Sequence, residues 1–336
     1  MNSSRVIPLT ARVLLLSLVL LVANSTASGS VISAYAYSNA SQPSDGIHNL
    51  SNKITNTAMI DNVYLIAVDI DSAGGVHVKN EEQQRFYPYF WTGKPKPTFT
   101  ANINVDAHLD WTVHNPTQNL IQQLGQNNWK QDFDGDVHVD AEFVMDVTTM
   151  PSNWVDCMTS LKTYANQQGR NFSMYFNPKY LSVTDKYTSA DVDANIATLK
   201  SILSPATAGA SNHVVFPVYA DNQINAKPQI LKDAAKLTVD NKLGYEWIHD
   251  ITQTTPTFNE GMASAHEANL VAKYTPAGVS VFQFTSKDNV TQTMLHNLSK
   301  LQQNPNSIPE PASCLIWCVG AVLFNLRRKS HRFTVR

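Results

Sequence analysis

Residues 132–143 have the sequence Asp-Phe-Asp-Gly-Asp-Val-His-Val-Asp-Ala-Glu-Phe, and the pattern in their second half decides the fold. Successive side chains of a β-strand point to opposite faces, so alternate residues share a face. One face here is polar and carries Asp136, His138, Asp140 and Glu142. The opposite face is apolar and carries Val137, Val139, Ala141 and Phe143. The pattern predicts a strand covered by helices on its apolar side, with a polar side that faces solvent or the mouth of a barrel.

From residue 62 onward, short strand-like runs alternate with longer helical ones. The predicted strands are rich in β-branched and aromatic residues. They cover residues 63–70, 99–106, 137–143, 172–176, 213–219, 244–249 and 278–284. The predicted helices have capping residues at their starts or Gly or Pro near their ends. They cover residues 153–168, 190–203, 229–241, 260–274 and 290–302.

Repeated strand–helix–strand units favour a parallel sheet with helices outside it. Seven strands, with a weak eighth at 76–78, fit an α/β fold of the TIM-like (β/α)8 barrel type. An open doubly wound sheet is the alternative, although no Gly-x-Gly-x-x-Gly sequence follows a predicted strand. Glycines, clustered aromatic residues and prolines in 72–98 predict an inserted hairpin and loop.

The amino terminus has the features of a signal peptide. Basic residues accompany a short apolar run at 14–23, and small residues permit cleavage after Ala27. The alternative, an uncleaved anchor, is disfavoured because the run is shorter than the roughly 20 residues that cross a bilayer. We therefore assign residues 1–27 to a signal peptide, the Ser-, Asn- and Thr-rich residues 28–57 to an irregular arm or linker, and 58–303 to the barrel domain.

The carboxyl-terminal segment, residues 304–336, contains Pro309-Glu310-Pro311, an apolar run at 314–326 and then a basic cluster. Basic residues remain on the cytoplasmic side of a membrane. This order resembles the PEP-CTERM sorting signal of bacterial exported proteins. The resemblance implies a single apolar sorting helix in the membrane, an exosortase as the processing partner, and a destination in the cell envelope or extracellular matrix. A plain anchor without processing is the alternative.

Composition excludes several classes of protein. A formal charge of −2 provides no basic surface for nucleic acid. Three cysteines are too few for a disulfide framework or a four-thiolate zinc site, and two of them lie in the carboxyl-terminal segment. The third, Cys157, is expected to be a small buried hydrophobic residue.

Polar residues follow or end most of the predicted strands, where barrel enzymes place their chemistry. Asp140 and Glu142 form the most suggestive pair, because two nearby carboxyl groups can be kept in different protonation states. One acid and one carboxylate are what cleavage of a glycosidic bond requires. The residues expected to contact substrate around this pair are Asp69, Asp106, His138, Tyr175 and Gln283.

The stretch 132–143 resembles the Asp-Gly-x-Asp-x-Asp-x-Glu signature of family 18 glycoside hydrolases, the chitinase-like barrels. The resemblance implies that Glu142 is the general acid and that Asp140 orients the N-acetyl group of the substrate. It also implies catalytic roles for Tyr219 and Asp221. His138 stands in place of the middle Asp, and Ala141 in place of an aromatic residue.

Family 25 lysozymes offer a second resemblance, through the Asp140-x-Glu142 pair and the Gln283-Phe284 pair on the last predicted strand. Both resemblances assign chemistry to Asp140 and Glu142. The leading hypothesis is a surface-sorted glycoside hydrolase without a cofactor that acts on an amino-sugar polymer, so polysaccharide is the expected partner.

The same stretch also resembles the opening of a calcium-binding loop, with Asp132, Asp134 and Asp136 as ligands. Such a loop has Gly at its sixth position and a carboxylate at its twelfth, where this chain has Val137 and Phe143. The second hypothesis is therefore a non-catalytic envelope or matrix protein that binds glycan or calcium.

Overall fold

Eight parallel strands close into a barrel with helices around it. The structure, a computed structural model, describes residues 31–36, 61–78, 98–126, 133–141, 148–218, 228–250, 255–274, 276 and 278–282. All of these residues belong to one unit, Ser30–Gln302. The predicted signal peptide, the carboxyl-terminal segment and the predicted helix at 290–302 lie outside the described residues.

The described strands are β1 (Val31–Ala36), β2 (Asn62–Ile70), β3 (Val76–Val78), β4 (Thr98–Val105), β5 (Val137–Ala141), β6 (Phe172–Tyr175), β7 (His213–Pro217), β8 (Gly244–Asp250) and β9 (Gly278–Phe282). The described helices are α1 (Thr117–Gln126), α2 (Ser152–Gln167), α3 (Ser189–Leu203), α4 (Pro228–Asp240) and α5 (Thr255–Ala272), with a 3₁₀ turn at Pro178–Leu181. Among the described residues, no helix combines the length and the apolar character needed to cross a bilayer.

The barrel strands follow the order β1-β2-β4-β5-β6-β7-β8-β9, and β1 closes the ring by pairing with both β2 and β9. In this closure Ser33 is aligned with Asn62 of β2 and with Ser280 of β9. A closed ring leaves no unpaired strand edge, so the backbone hydrogen-bonding groups of the barrel are satisfied within the sheet. The structure confirms the predicted (β/α)8 class of fold.

The eighth barrel strand differs from the one predicted. Residues 76–78 form a strand, but it runs antiparallel to β2 and lies outside the ring. The eighth position is taken by β1, within the segment 28–57 that was expected to be irregular. The sequence Val-Ile-Ser-Ala-Tyr-Ala is short, and its inward positions hold Ser33 and Tyr35, so it shows little of the apolar alternation that identifies a strand.

Apolar side chains on the outer and inner faces of the strands belong to two separate buried clusters. Val137, Val139 and Ala141 belong to the large core between the barrel and its helices. Tyr35, Tyr64, Val215 and Ile248 form a separate buried cluster. The alternation predicted for residues 137–141 is therefore present, with apolar side chains outward and His138 and Asp140 inward.

Local sequence accounts for the start of α3. Thr188 accepts a hydrogen bond from the backbone N–H of Asp191, and the Asp191 carboxylate accepts from the N–H of Thr188 at 2.9 Å. This reciprocal cap satisfies two backbone donors that a helix start leaves unpaired.

The segment before β5 forms hydrogen bonds with its neighbours at the amino end of the barrel. The Asp134 carboxylate accepts the N–H of Phe99 at 2.7 Å, and Gly135 donates its N–H to the Phe99 carbonyl at 2.8 Å. The Arg170 guanidinium donates to the Gly135 carbonyl at 2.9 Å. These bonds hold β5 in register between β4 and β6.

Gly135 has no room for a side chain at this contact. An added Cβ would lie 2.7 Å from Thr100 Oγ1 and 2.9 Å from the Phe99 carbonyl oxygen. We expect Gly135→Ala to lower the free energy of unfolding by about 1–3 kcal/mol because of the overpacking. Urea denaturation would measure the change.

Gly125 in α1 provides the matched control, because a Cβ there meets no atom within 4 Å. Gly125→Ala should stabilise the protein by about 0.5–1 kcal/mol through helix propensity. A shift in the same direction for both variants would contradict the packing described for Gly135.

Candidate active site

A polar layer crosses the barrel interior beneath its carboxyl end. The hydroxyl of Tyr35 on β1 lies 2.8 Å from His138 Nε2 on β5, and the other ring nitrogen lies 2.9 Å from Ser173 Oγ on β6. The Tyr35 and Tyr64 rings stack with centroids 4.3 Å apart. His138 is fully buried. Burial, with His213 as a second cause, holds its pKa well below the usual value, so His138 is neutral.

A buried carboxylate completes this layer. Tyr64 donates its hydroxyl hydrogen to Glu246 at 3.1 Å from Oε2, and His213 Nε2 lies 3.3 Å from the same oxygen. Burial, followed by the charge of Glu246, raises the pKa of Tyr64 well above its usual value. Tyr64 therefore remains a hydrogen-bond donor to the carboxylate.

A bulge in β2 changes which residues face the barrel interior. The pairing of β2 with β4 shifts register between Ile66 and Val68, which brings Asp69 opposite Asn104. The Asn104 amide donates to Asp69 Oδ1 at 3.0 Å. Bulges often redirect side chains at the rims of barrels, and this one places a carboxylate on the inner side.

Asp140 lies beside this pair, because the β4–β5 register aligns it with Asn104. Its side chain follows His138 on the inward face and is 7% exposed. Tyr175 lies on the neighbouring strand β6. Val139 of β5 pairs with Met174 of β6, and the next residues along the two strands are Asp140 and Tyr175. Three predicted site residues, Asp69, Asp140 and Tyr175, thus come from three different strands to the same end of the barrel.

Other predicted residues occupy different positions. His138 lies one inward residue deeper than Asp140. Asp106 is the first residue after β4, where its carboxylate accepts the N–H of His108 at 2.8 Å. The roles assigned to Glu142, Tyr219, Asp221 and Gln283, and to Pro309, Glu310 and Pro311, stay predictions because these residues lie outside the described residues.

The carboxylates proposed for calcium already have protein partners. Asp134 binds the Phe99 N–H, and Asp136 accepts the backbone N–H and the side-chain amide of Asn171 at 3.1 and 3.2 Å. In the described part of the chain, no group of three or more His, Cys, Asp or Glu side chains could hold a metal ion. Asp132 lies outside it. The geometry assigns Asp134 and Asp136 to the amino end of the barrel, opposite Asp140.

Three residues of the polar layer were not predicted from the sequence: Tyr35, Tyr64 and Ser173. Tyr35 was missed because its strand was not predicted, and Ser173 is a small polar residue in a run dominated by Phe172 and Met174. The inward alternation within β6 was the signal that could have identified it. Cys157 is fully buried, as expected, and burial raises its pKa to about 12.

No protein-family model matches the chain. No curated protein matches it either. Solved structures share its fold. The GH18 chitinase ChiB of Flavobacterium johnsoniae has a TM-score of 0.51 at 9% identity, covering 81% of this chain and 94% of that one. A class V chitinase of Pseudomonas fluorescens Pf-5 has a TM-score of 0.53 at 11% identity, covering 80% and 98%.

The spore cortex-lytic enzyme SleL of Bacillus cereus is also similar, with a TM-score of 0.52 at 10% identity over 80% of this chain and 74% of that one. At these identities the likeness establishes the barrel fold. It is consistent with the resemblance to chitinase-like barrels that residues 132–143 suggest.

The buried histidines make stability depend on pH. His249 packs on Phe258 of α5 with ring centroids 5.5 Å apart, and burial lowers its pKa to about 3. The unfolded chain therefore binds more protons below about pH 6.5, so the contribution of His249 is present above that pH and is lost as pH falls. The slope is about 1.4 kcal/mol per pH unit.

We expect His249→Leu to remove this one-proton slope between about pH 6 and pH 4. Denaturation of the wild type and the variant across that range isolates the contribution of His249. The carboxylates titrate in both proteins, so their contribution cancels when the two stability curves are subtracted. Parallel stability curves would contradict the assignment of a buried neutral imidazole.

Proposed function

We propose that this protein is an exported, surface-sorted glycoside hydrolase that acts on an amino-sugar polymer of the chitin or peptidoglycan type. One observation carries the proposal. Asp140 faces the barrel interior at the carboxyl end of β5, beside Asn104 and Asp69, in the region where barrel enzymes place their chemistry. Glu142 follows it by two residues in the sequence.

The proposed chemistry divides the work between these two carboxyl groups. Glu142 donates a proton to the glycosidic oxygen as the bond to the anomeric carbon breaks. The N-acetyl oxygen of the substrate attacks that carbon, and Asp140 orients the N-acetyl group for the attack. Water then opens the cyclic intermediate as Glu142 takes back a proton. Tyr219 and Asp221 have catalytic roles in this proposal by resemblance to family 18.

His138 places a neutral side chain below Asp140 on the inward face of β5. The family signature has an Asp at this position, whereas here the buried imidazole is held by Tyr35 and Ser173. Asp140 therefore has no like charge beneath it on its own strand. This difference removes one source of repulsion for the charge that the proposal assigns to Asp140.

The substrate class and the location rest on different support. Chitinases and a spore cortex-lytic enzyme share the fold, which supports an amino-sugar polymer as substrate. The predicted signal peptide and the Pro309-Glu310-Pro311 segment support export, exosortase processing and anchoring at the envelope or in the matrix.

Hydrolysis of N-acetylglucosamine oligomers and peptidoglycan fragments by the full chain in detergent tests the activity. We expect the wild type to release shorter products and Glu142→Gln to lose at least about 100-fold in kcat, the usual contribution of a general acid. Full activity in Glu142→Gln would overturn the assignment of the acid. Binding without cleavage by the wild type would instead favour a non-catalytic glycan-binding protein.

Asp140→Asn tests the orienting role separately. We expect kcat to fall by about 100-fold or more with a smaller change in KM, because the charge acts mainly in the transition state. Asp110→Asn is the matched control. That carboxylate also lies at the carboxyl end of the barrel, on the loop after β4, but it accepts hydrogen bonds from Thr112. Equal loss in both variants would contradict a specific role for Asp140.

A further inference from the structure

A cavity lies at the amino end of the barrel, opposite the end that carries Asp140. Its volume is about 530 Å³, within the range of roughly 300–1,000 Å³ typical of small-molecule sites. It is formed where α3, α4 and α5 end and where β7 and β8 begin, with walls that include Leu203, Asn212, Asn241, Gly244 and Tyr274. Nothing in the chemistry proposed for Asp140 and Glu142 uses this cavity.

The lining has a distinct chemical character. Two lysines, Lys200 and Lys242, contribute to it together with hydroxyl and amide groups, and it contains no carboxylate side chain. Both lysines are exposed, and neither pairs with a carboxylate of the described residues. Tyr274 adds an aromatic ring, and its hydroxyl points toward the start of β8, 3.4 Å from where a Cβ on Gly244 would lie.

Lys242 occupies a backbone position that favours glycine. It has a φ of 62°, its N–H binds the Val239 carbonyl at 2.8 Å, and the next N–H binds the Thr238 carbonyl at 3.0 Å. These bonds form a Schellman motif, whose left-handed residue is usually Gly. The end of α2 has the same motif with Gly169 at φ 73°. Lys242, which follows α4, therefore carries a cation at the cavity from a backbone position that is strained for residues other than glycine.

The carboxyl ends of α3, α4 and α5 lie around the cavity. Helix carboxyl ends carry partial negative charge, so they disfavour a small inorganic anion. A sugar acid suits the side chains of this lining, because its hydroxyl groups hydrogen-bond to hydroxyl and amide groups and its carboxylate pairs with an ammonium group. The face of a sugar ring packs on an aromatic side chain such as Tyr274.

We propose that this cavity, at the amino end of the barrel, binds an acidic saccharide through Lys200, Lys242 and Tyr274. The site would hold an acidic polymer at the end of the barrel opposite Asp140. This inference does not depend on hydrolysis at Asp140 and Glu142, since the two sites lie at opposite ends of the barrel and share no residue.

Calorimetric titration of the full chain with a glucuronic acid oligomer tests the proposal. We expect Lys242→Gly to weaken binding by about tenfold through loss of a charge-assisted contact. The same change should raise the melting temperature by roughly 1–3 °C, because Gly relieves the left-handed strain. Loss of binding in a more stable protein cannot be attributed to unfolding.

Lys273→Gly is the matched control. Lys273 occupies the equivalent left-handed position at the end of α5, with a φ of 53°, but it does not line the cavity. It should gain similar stability with unchanged binding, and Lys200→Ala should weaken binding as Lys242→Gly does. Equal binding by wild type and Lys242→Gly, or an equal loss in Lys273→Gly, would overturn the proposal.

Two further titrations separate this site from the proposed active site. An uncharged glucose oligomer of the same length should bind at least about tenfold more weakly than the acid. An excess of N-acetylglucosamine oligomer, the probe of the carboxyl end, should not displace the glucuronic acid oligomer. Displacement, or equal affinity for the uncharged oligomer, would contradict an acidic-saccharide site at the amino end.

Discussion

The barrel depends on a hydrogen bond that crosses its interior, between the hydroxyl of Tyr35 and Nε2 of His138 at 2.8 Å. These residues come from strands that are not neighbours in the ring. A buried imidazole without partners would be costly, so the contact favours the arrangement in which β1 closes the ring between β2 and β9, across the interior from β5. Ser173 satisfies the other ring nitrogen. The polar interior is thus stable only when the strands around it are all in place.

The same constraint positions the candidate site. His138 and Asp140 are alternate residues of one strand, so fixing the inward direction of His138 also fixes that of Asp140. The bulge in β2 then supplies Asp69 from the other side of Asn104. The buried layer of Tyr35, His138 and Glu246 thus lies beneath the carboxylates of Asp69 and Asp140. Within it, the imidazole of His138 stands where the signature has an Asp.

The sequence predicted the parts of the fold in which burial follows a simple period. Seven barrel strands were found because β-branched and aromatic residues mark them, and four helices were found within a few residues of their observed ends, except that α5 begins five residues before its predicted start. The eighth strand was missed because β1 places Ser33 and Tyr35 inside the barrel, where their partners are polar groups from distant strands. Helix α1 was missed because it is rich in Gln and Asn and buries only Thr117, Leu120 and Leu124.

The candidate site was predictable only along one strand. Alternation within 137–141 indicated that His138 and Asp140 share a face, but no local pattern indicates that Asn104, which is aligned with Asp140, donates to Asp69. That contact depends on strand register and on the bulge, which are set by tertiary packing. The spacing of Asp134 and Asp136 predicted a metal loop, and no local pattern indicates that their carboxylates bind backbone and side-chain N–H groups at the other end of the barrel.

The location of a bound amino sugar tests the central claim most directly. A crystal structure of the full chain with an N-acetylglucosamine oligomer should show the sugar at the carboxyl end of the barrel, with an N-acetyl group within about 3 Å of the Asp140 carboxylate. A sugar bound elsewhere, or an Asp140 side chain that points away from the barrel interior, would contradict the account.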